Sequence, residues 1–197
     1  LVARELGFGR VASNSMDAVS DRDFIIEFLS ATAILFGHLG RLATEITLWA
    51  SSEFGFVTLH DSFSTGSSMM PQKKNPDIAE LVRGKSGRIY GNLVALLTVV
   101  KGLPLAYNSD LQEDKEALFD SADTAERSVR ITTALLRSLT FNTDAMRAAA
   151  SDGMLLATDL AEYLVARGLP FREAHEVTGR VVADCLERGV DLSSLAT

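Results

Sequence analysis

One long stretch of helical periodicity constrains this chain more than any other feature. Between residues 25 and 50, apolar or small residues recur at alternating steps of four and three, namely Ile25, Leu29, Thr32, Phe36, Leu39, Ala43, Ile46 and Ala50. A second stripe recurs every seven residues, at Phe28, Leu35, Leu42 and Trp49. Two stripes predict a helix that is buried on more than one flank. Roughly thirty residues at about 1.5 Å each make a helix of about 45 Å. A helix of this length suits the middle of a helix bundle, either within one chain or shared between subunits.

The same period predicts a second long helix, over residues 75–101. Asn75 is a favoured N-cap, Pro76 fits the first helical position, and Asp77 complements the positive end of the helix dipole. Three glycines share one face of this helix: Gly84, Gly87 and Gly91. Each of them disfavours the helix by on the order of 1 kcal/mol relative to alanine. The expected compensation is the close approach of another helix backbone.

The helical periodicity returns over about 112–139, which predicts a third long helix, and the helices predicted after it are shorter. Two shorter helices are predicted over about 154–167 and 172–188, with Gly189 as the stop of the second. Asn142 or Thr143 is expected to cap a turn between the long and the short helices. No alternating strand runs or repeats occur, so the predicted fold class is all-α. The predicted domains are a partial long-helix bundle over 1–141, which contains a polar loop at 64–77, and a small helical C-terminal domain over 142–197.

Composition narrows the classes of function. The net charge of −7 argues against a nucleic-acid partner, because binding phosphates needs a basic surface. Cys185 is the only cysteine, which excludes an internal disulfide, and the three histidines (His38, His60 and His175) lack a metal-ligand spacing. The longest uncharged apolar runs are too short to span a bilayer, so no membrane association is expected. The expected location is the cytoplasm.

The loop from Gly66 to Asp77 carries the most chemistry. It offers two hydroxyls, two ammonium groups and an amide, and it leads into the N-terminus of the second long helix. This set suits the binding of an anion, and in particular a reaction in which a carboxylate-bearing substrate gathers negative charge. An ordinary polar interhelical loop is the alternative. If Ser67 is to accept a proton, it must be activated by cations, dipoles or a partner base.

Two segments of the chain resemble a known family. Gly66-Ser67-Ser68-Met69-Met70-Pro71-Gln72-Lys73-Lys74-Asn75-Pro76 is similar to the G-S-S-x-M-P-x-K-x-N-P signature of the fumarase/aspartase superfamily. Its Gln72-Lys73-Lys74 variant most resembles the argininosuccinate lyase and delta-crystallin branch. The block from Tyr107 to Glu116 resembles the same branch. The likeness extends from about Asn14 to Val182.

The resemblance implies an activity and a set of site residues. Members of the branch split argininosuccinate into arginine and fumarate, in arginine biosynthesis or the urea cycle, without a metal or an organic cofactor. By motif position, the resemblance implies that Ser67 and Lys73 are catalytic, that Asn75, Tyr107, Gln112 and Lys115 bind the substrate, and that Glu80 supports the site. Arg22 and Asp23 resemble positions near it. The structural alternatives are a helix-dipole partner for Glu80, a surface lysine for Lys115 and a packing aromatic for Tyr107.

Two further motifs of the family do not occur in this chain. They are an S-R-N-D-Q pattern and a T-H pair that carries the catalytic histidine. In the family, each active site is built from three subunits of a homotetramer. The resemblance therefore implies that this chain carries about half of a composite site, as an internal-to-C-terminal piece of a longer protein. We expect little or no turnover from the 197-residue chain alone.

Two other functions fit the same motifs. One is a delta-crystallin-like structural protein, which shares the motifs but serves as bulk soluble protein. The other is another fumarate-releasing lyase of the superfamily, such as one that acts on adenylosuccinate. The Gln72-Lys73-Lys74 sequence and the Tyr107 to Glu116 block favour argininosuccinate as the substrate.

Overall fold

The computed structural model describes residues 1–66, 69–70, 74–151, 153, 155–192 and 194. These residues form mostly α-helix, with four strands of two residues each, so the all-α prediction is confirmed. The chain divides into two compact units. The first comprises Leu1–Glu53 and Val57–Thr140, and the second comprises Phe54–Phe56 and Phe141–Thr197. Whether they are separate folding domains remains a prediction.

Helices dominate both units. In the first unit they are α1 (Val2–Glu5), α2 (Ser15–Ser20), α3 (Asp23–Trp49), α4 (Asp77–Val100) and α5 (Asp114–Ser138), with 3₁₀ turns at Asp61–Phe63 and Ser109–Glu113. In the second unit they are α6 (Thr143–Ala150), α7 (Ala157–Ala166) and α8 (Phe171–Arg188). The strands are β1 (Val57–Thr58), β2 (Thr65–Gly66), β3 (Lys74–Asn75) and β4 (Thr140–Phe141).

Helices α3, α4 and α5 pack side by side as an antiparallel bundle. One apolar cluster joins the C-terminal half of α3 to the start of α4 and the end of α5, through Ile46, Val82 and Leu135. The opposite cluster joins the start of α3 to the end of α4 and the start of α5, through Leu29, Leu96 and Ala117. Phe36 and Ile89 fill the middle. The bundle therefore has two ends, which we call the loop end, near Asn75, and the block end, near Lys115.

The first apolar stripe of α3 is buried as predicted. Its buried residues include Ile25, Leu29, Thr32, Phe36, Ala43 and Ile46. The second stripe is different, since Phe28 and Leu35 are 40% and 38% exposed in the single chain. The packing of α4 and α5 thus covers one flank of α3 and leaves much of the other open.

Two predictions about α4 are corrected. The helix begins at Asp77, with Pro76 at the N-cap position and no side-chain cap, because Asn75 is used in strand β3. No other helix among the described residues makes the predicted close approach at Gly84, Gly87 and Gly91, since a Cβ at any of them would meet open space. A close glycine contact lies on α3 instead: a Cβ at Gly37 would lie 3.4 Å from the Tyr90 hydroxyl.

Helix α5 buries a face that its apolar periodicity does not mark. After Asp114 in the first turn, most of the buried residues are small or hydroxylated: Ala117, Ser121, Thr124, Ser128 and Thr132, followed by Leu135. The larger apolar residues Val129 and Leu136, which belong to the helical periodicity of this segment, are each 41% exposed. Small side chains allow α5 to approach its two neighbours closely, so shape rather than hydrophobicity decides which side faces inward.

The second unit pairs α7 with α8 around small buried residues: Ala161, Ala174, Thr178 and Cys185. Asn142 caps α6 by accepting a hydrogen bond from the Ala145 amide at 3.2 Å, which confirms the prediction. Gly189 ends α8 in the left-handed conformation, at φ 64°, as a C-terminal glycine often does.

Helix α3 is also long and apolar enough to cross a membrane, judged by length and composition alone. Core helices of soluble proteins pass the same test. Here Leu29 and Phe36 are fully buried against other helices of the bundle. Packing within the first unit therefore accounts for the apolar residues on the buried flank of α3.

Candidate functional site

The base of the polar loop is a short hairpin at the loop end of the bundle. Strands β2 and β3 pair antiparallel, with Thr65 opposite Asn75 and Gly66 opposite Lys74. The Thr65 amide donates to the Asp77 carboxylate at 3.0 Å, and the Thr65 hydroxyl donates to the same oxygen. Asp77 therefore fixes the hairpin to the first turn of α4.

A second contact connects strand β3 of the hairpin to the 3₁₀ turn that precedes it. The Lys74 ammonium donates a hydrogen bond to the Asp61 carboxylate, in the 3₁₀ turn that precedes β2. This hydrogen bond, together with the charge of Lys74, lowers the pKa of the Asp61 carboxyl below its ordinary value. Both side chains are exposed, so the pair contributes little to stability.

We expect the Asp61 carboxyl to titrate at lower pH than an ordinary aspartate. Because its folded pKa is lowered, the pairing with Lys74 is complete above the unfolded pKa and is lost as pH falls through the folded one. NMR titration of the side-chain carboxyl measures this. Lys74→Met should move the midpoint back towards the ordinary value, and Lys101→Met, a matched exposed lysine, should not. An unchanged midpoint in K74M would contradict the assignment.

Only some of the residues predicted for the loop end can be located. Ser67 and Lys73 lie outside the described residues, as does Gln72. Asn75 is half-buried in β3. Glu80 is exposed on the first turn of α4, with its carboxylate 3.9 Å from the Arg83 guanidinium. That long contact leaves the Glu80 carboxylate largely in solvent.

At the block end, Tyr107 follows a constrained turn. Ala106 adopts a positive φ of 70°, which an L-residue with a Cβ rarely does and which usually costs free energy. The Asn108 amide donates to the carbonyls of Pro104, at 3.2 Å, and Ala106, at 3.3 Å. The adjacent Tyr107 side chain is 49% exposed. Nothing in the sequence marked Ala106, because alanine carries no turn signal.

The rest of the block forms the 3₁₀ turn and the first turn of α5. Gln112 is exposed on the 3₁₀ turn, and Leu111 beside it is 1% exposed and anchors the turn in the core. Lys115 is exposed at the start of α5. Tyr107, Gln112 and Lys115 are thus all accessible in one short segment at the block end.

A buried carboxylate connects this segment to α3. Asp114 accepts from the Arg22 guanidinium Nε at 2.5 Å and from the Lys115 ammonium at 2.9 Å. Arg22 also donates to the carbonyls of Val19 and Asp21, at 3.3 and 2.8 Å. Sequence reasoning singled out Arg22 and Lys115 but missed Asp114. Its spacing of 92 residues from Arg22 gives no local signal.

The described members of the two predicted sets lie at opposite ends of the bundle. Asn75 precedes α4 and Tyr107 follows it, and the 24 residues of α4 separate them. At about 1.5 Å per residue, this helix holds the two sets roughly 36 Å apart in one chain. No small substrate bridges such a distance. Among the described residues, no three His, Cys, Asp or Glu side chains cluster closely enough to hold a metal ion.

Comparison with known proteins supports the resemblance. A family model described as "Lyase" matches residues 1–91, and one described as "Argininosuccinate lyase C-terminal" matches residues 154–197. Argininosuccinate lyase of Moorella thermoacetica is 60% identical over 196 residues, which is 100% of this chain and 42% of that protein. The enzyme of the same name from Symbiobacterium thermophilum is 61% identical over 193 residues, covering 98% of this chain and 42% of its own length.

Solved structures share the fold. A variant of EDDS lyase with bound fumarate superimposes with a TM-score of 0.76 at 33% sequence identity, covering 94% of this chain and 37% of that one. The chain spans about two fifths of the length of the curated relatives it matches. With about 60% identity along its whole length and a family model matched at each end, the chain is similar throughout to argininosuccinate lyases.

Proposed function

We propose that this chain supplies two parts of the active site of an argininosuccinate lyase, a carbon–nitrogen lyase of arginine biosynthesis or the urea cycle. The reaction eliminates fumarate from argininosuccinate and leaves L-arginine. The observation that carries the proposal is the pairing of two family motifs with about 60% identity to argininosuccinate lyases along the whole chain. The exposure of Tyr107, Gln112 and Lys115 in one segment is consistent with substrate binding.

The chemistry assigns a role to each residue. Ser67 removes a proton from the carbon beside a substrate carboxylate, and the resulting doubly charged aci-carboxylate is stabilised by Lys73 and Asn75. The carbon–nitrogen bond then breaks, a carbon–carbon double bond forms, and the departing guanidino nitrogen takes up a proton. Tyr107, Gln112 and Lys115 hold the substrate. Glu80 supports the charge network at the loop end, and no cofactor takes part.

The site must be composite, and this favours a homotetramer with shared sites. The loop end and the block end of one chain are about 36 Å apart along α4, so a complete site needs the loop end of one subunit beside the block end of another. Exposed apolar side chains suit contacts between subunits. They include Phe28 and Leu35 on α3 and Val129 and Leu136 on α5. The open glycine face of α4 suits the same role. A soluble cytoplasmic enzyme fits this arrangement.

The experiment is substrate comparison in a complete enzyme. The chain is joined into Moorella thermoacetica argininosuccinate lyase in place of the segment it aligns with, and we call the product the chimera. We expect fumarate release from argininosuccinate and none above background from adenylosuccinate, while the chain alone should turn over little of either. Equal or preferred release from adenylosuccinate, by a chimera that assembles normally, would overturn the assignment of the substrate.

A further inference from the structure

We propose that Asp114 is a positioning residue for substrate binding, which holds the Lys115 ammonium in place at the start of α5. The inference rests on the proposed function, because Lys115 is a substrate ligand only within it. Asp114 itself touches no substrate and acts through Lys115.

The geometry connects a buried anchor to an exposed cation. The Asp114 side chain is only 5% exposed, whereas that of Lys115 is 59% exposed, and the two are joined by a hydrogen bond of 2.9 Å. The second oxygen of Asp114 is held by Arg22, whose side chain is 13% exposed. Both oxygens of the carboxylate are therefore engaged. Lys115 is tied through Asp114 to the start of α3 and is not simply a free surface lysine.

Helix electrostatics explain why Lys115 needs such a partner. Cations are disfavoured near the N-terminus of a helix, where the dipole is positive, and Lys115 is the second residue of α5. A carboxylate on the preceding residue offsets this repulsion. A lysine has four rotatable bonds, and fixing its ammonium before the substrate arrives reduces the entropy lost on binding. The buried Asp114 therefore prepares Lys115 to receive an anionic group.

A purely structural role for Asp114 makes a different prediction. If Asp114 only ties α5 to Arg22, its loss should raise KM by the same factor whether or not Lys115 is present. If it acts through Lys115, its loss should have no further effect on substrate binding once the lysine is gone. A double-mutant cycle separates these cases.

The cycle is measured in the chimera, with Asp114→Asn and Lys115→Met alone and together. We expect D114N to raise KM about tenfold, with kcat changed by less than about threefold, when Lys115 is present. In the K115M background, D114N should change KM by less than about twofold. Asp120→Asn is the control, because this α5 carboxylate is 3.3 Å from Arg88 and accepts from Asn92 at 2.8 Å. It should leave KM unchanged within about twofold.

Circular dichroism and gel filtration establish that each variant folds and assembles. If D114N does not, Asp114→Glu keeps the charge and displaces the carboxylate by one methylene, and it should follow the same pattern in both backgrounds. An equal rise of KM with and without Lys115 would overturn the inference but leave the proposed function intact. An assembled chimera that releases no fumarate from argininosuccinate would remove the proposed function, and this inference with it.

Discussion

Replacing Ser67 by alanine in the chimera is expected to lower kcat for argininosuccinate by about 10²- to 10⁴-fold, the usual loss when a proton-transfer group is removed. KM should change much less, because the serine acts on the reacting carbon and contributes little to holding the substrate. Steady-state fumarate release at several substrate concentrations measures both constants.

Ser64→Ala is the matched control for this prediction. It removes another hydroxyl from the same segment, where the Ser64 side chain donates a long hydrogen bond, of 3.4 Å, to the His60 carbonyl. Its kcat should stay within about twofold of the unsubstituted chimera. Equal losses in S64A and S67A would show that the segment is sensitive as a whole, and the assignment of Ser67 as the proton acceptor would be wrong.

Mixing two impaired variants is expected to restore activity. One chimera carries Ser67→Ala at the loop end and the other carries Lys115→Met at the block end. The Lys115→Met chimera alone should release fumarate about 10- to 100-fold more slowly at low substrate concentration, because a charged hydrogen bond to the substrate is removed. In tetramers assembled at random by co-expression, about one quarter of the sites should combine an intact loop end with an intact block end from different subunits. Activity should therefore rise to about a quarter of the unsubstituted value.

The control mixture has both changes at the same end. Co-assembled chimeras with Ser67→Ala and Lys73→Ala contain no intact loop end, so their activity should stay as low as that of either alone. Failure of the S67A and K115M mixture to exceed its parents, in tetramers shown to contain both chains, would contradict the sharing of sites between subunits. That outcome would also contradict the use of the two ends of the bundle in one site.

Much of the fold could be predicted from local patterns. The stripe from Ile25 to Ala50 marked the buried face of α3, because the spacing of apolar residues in a long amphipathic helix identifies the face that packs against its neighbours. The end of α8 at Gly189 and the cap at Asn142 followed from local backbone chemistry. The start of α4 was misplaced because Asn75 serves the hairpin with Thr65, a pairing across ten residues that no local cap rule contains.

The candidate site divides in the same way. The identities of its residues, from Ser67 to Lys115, came from the sequence, because the motif fixes residue types at fixed spacings. Asp114 did not, although it lies next to Lys115, because its importance depends on its ion pair with Arg22, which is 92 residues away. A buried ion pair between distant residues is a tertiary contact, and its members resemble ordinary surface charges when read one by one.

By itself, the sequence determined the three long helices and the family resemblance, and it predicted the chemistry of the loop. Only the tertiary structure decided that the loop and the Tyr107 to Lys115 block lie at opposite ends of one bundle, that α5 buries serine and threonine, and that the glycine face of α4 is open. The reason is physical. Periodicity and side-chain chemistry are local properties, whereas helix direction, close packing and the distance between two ends depend on how the rods lie against each other.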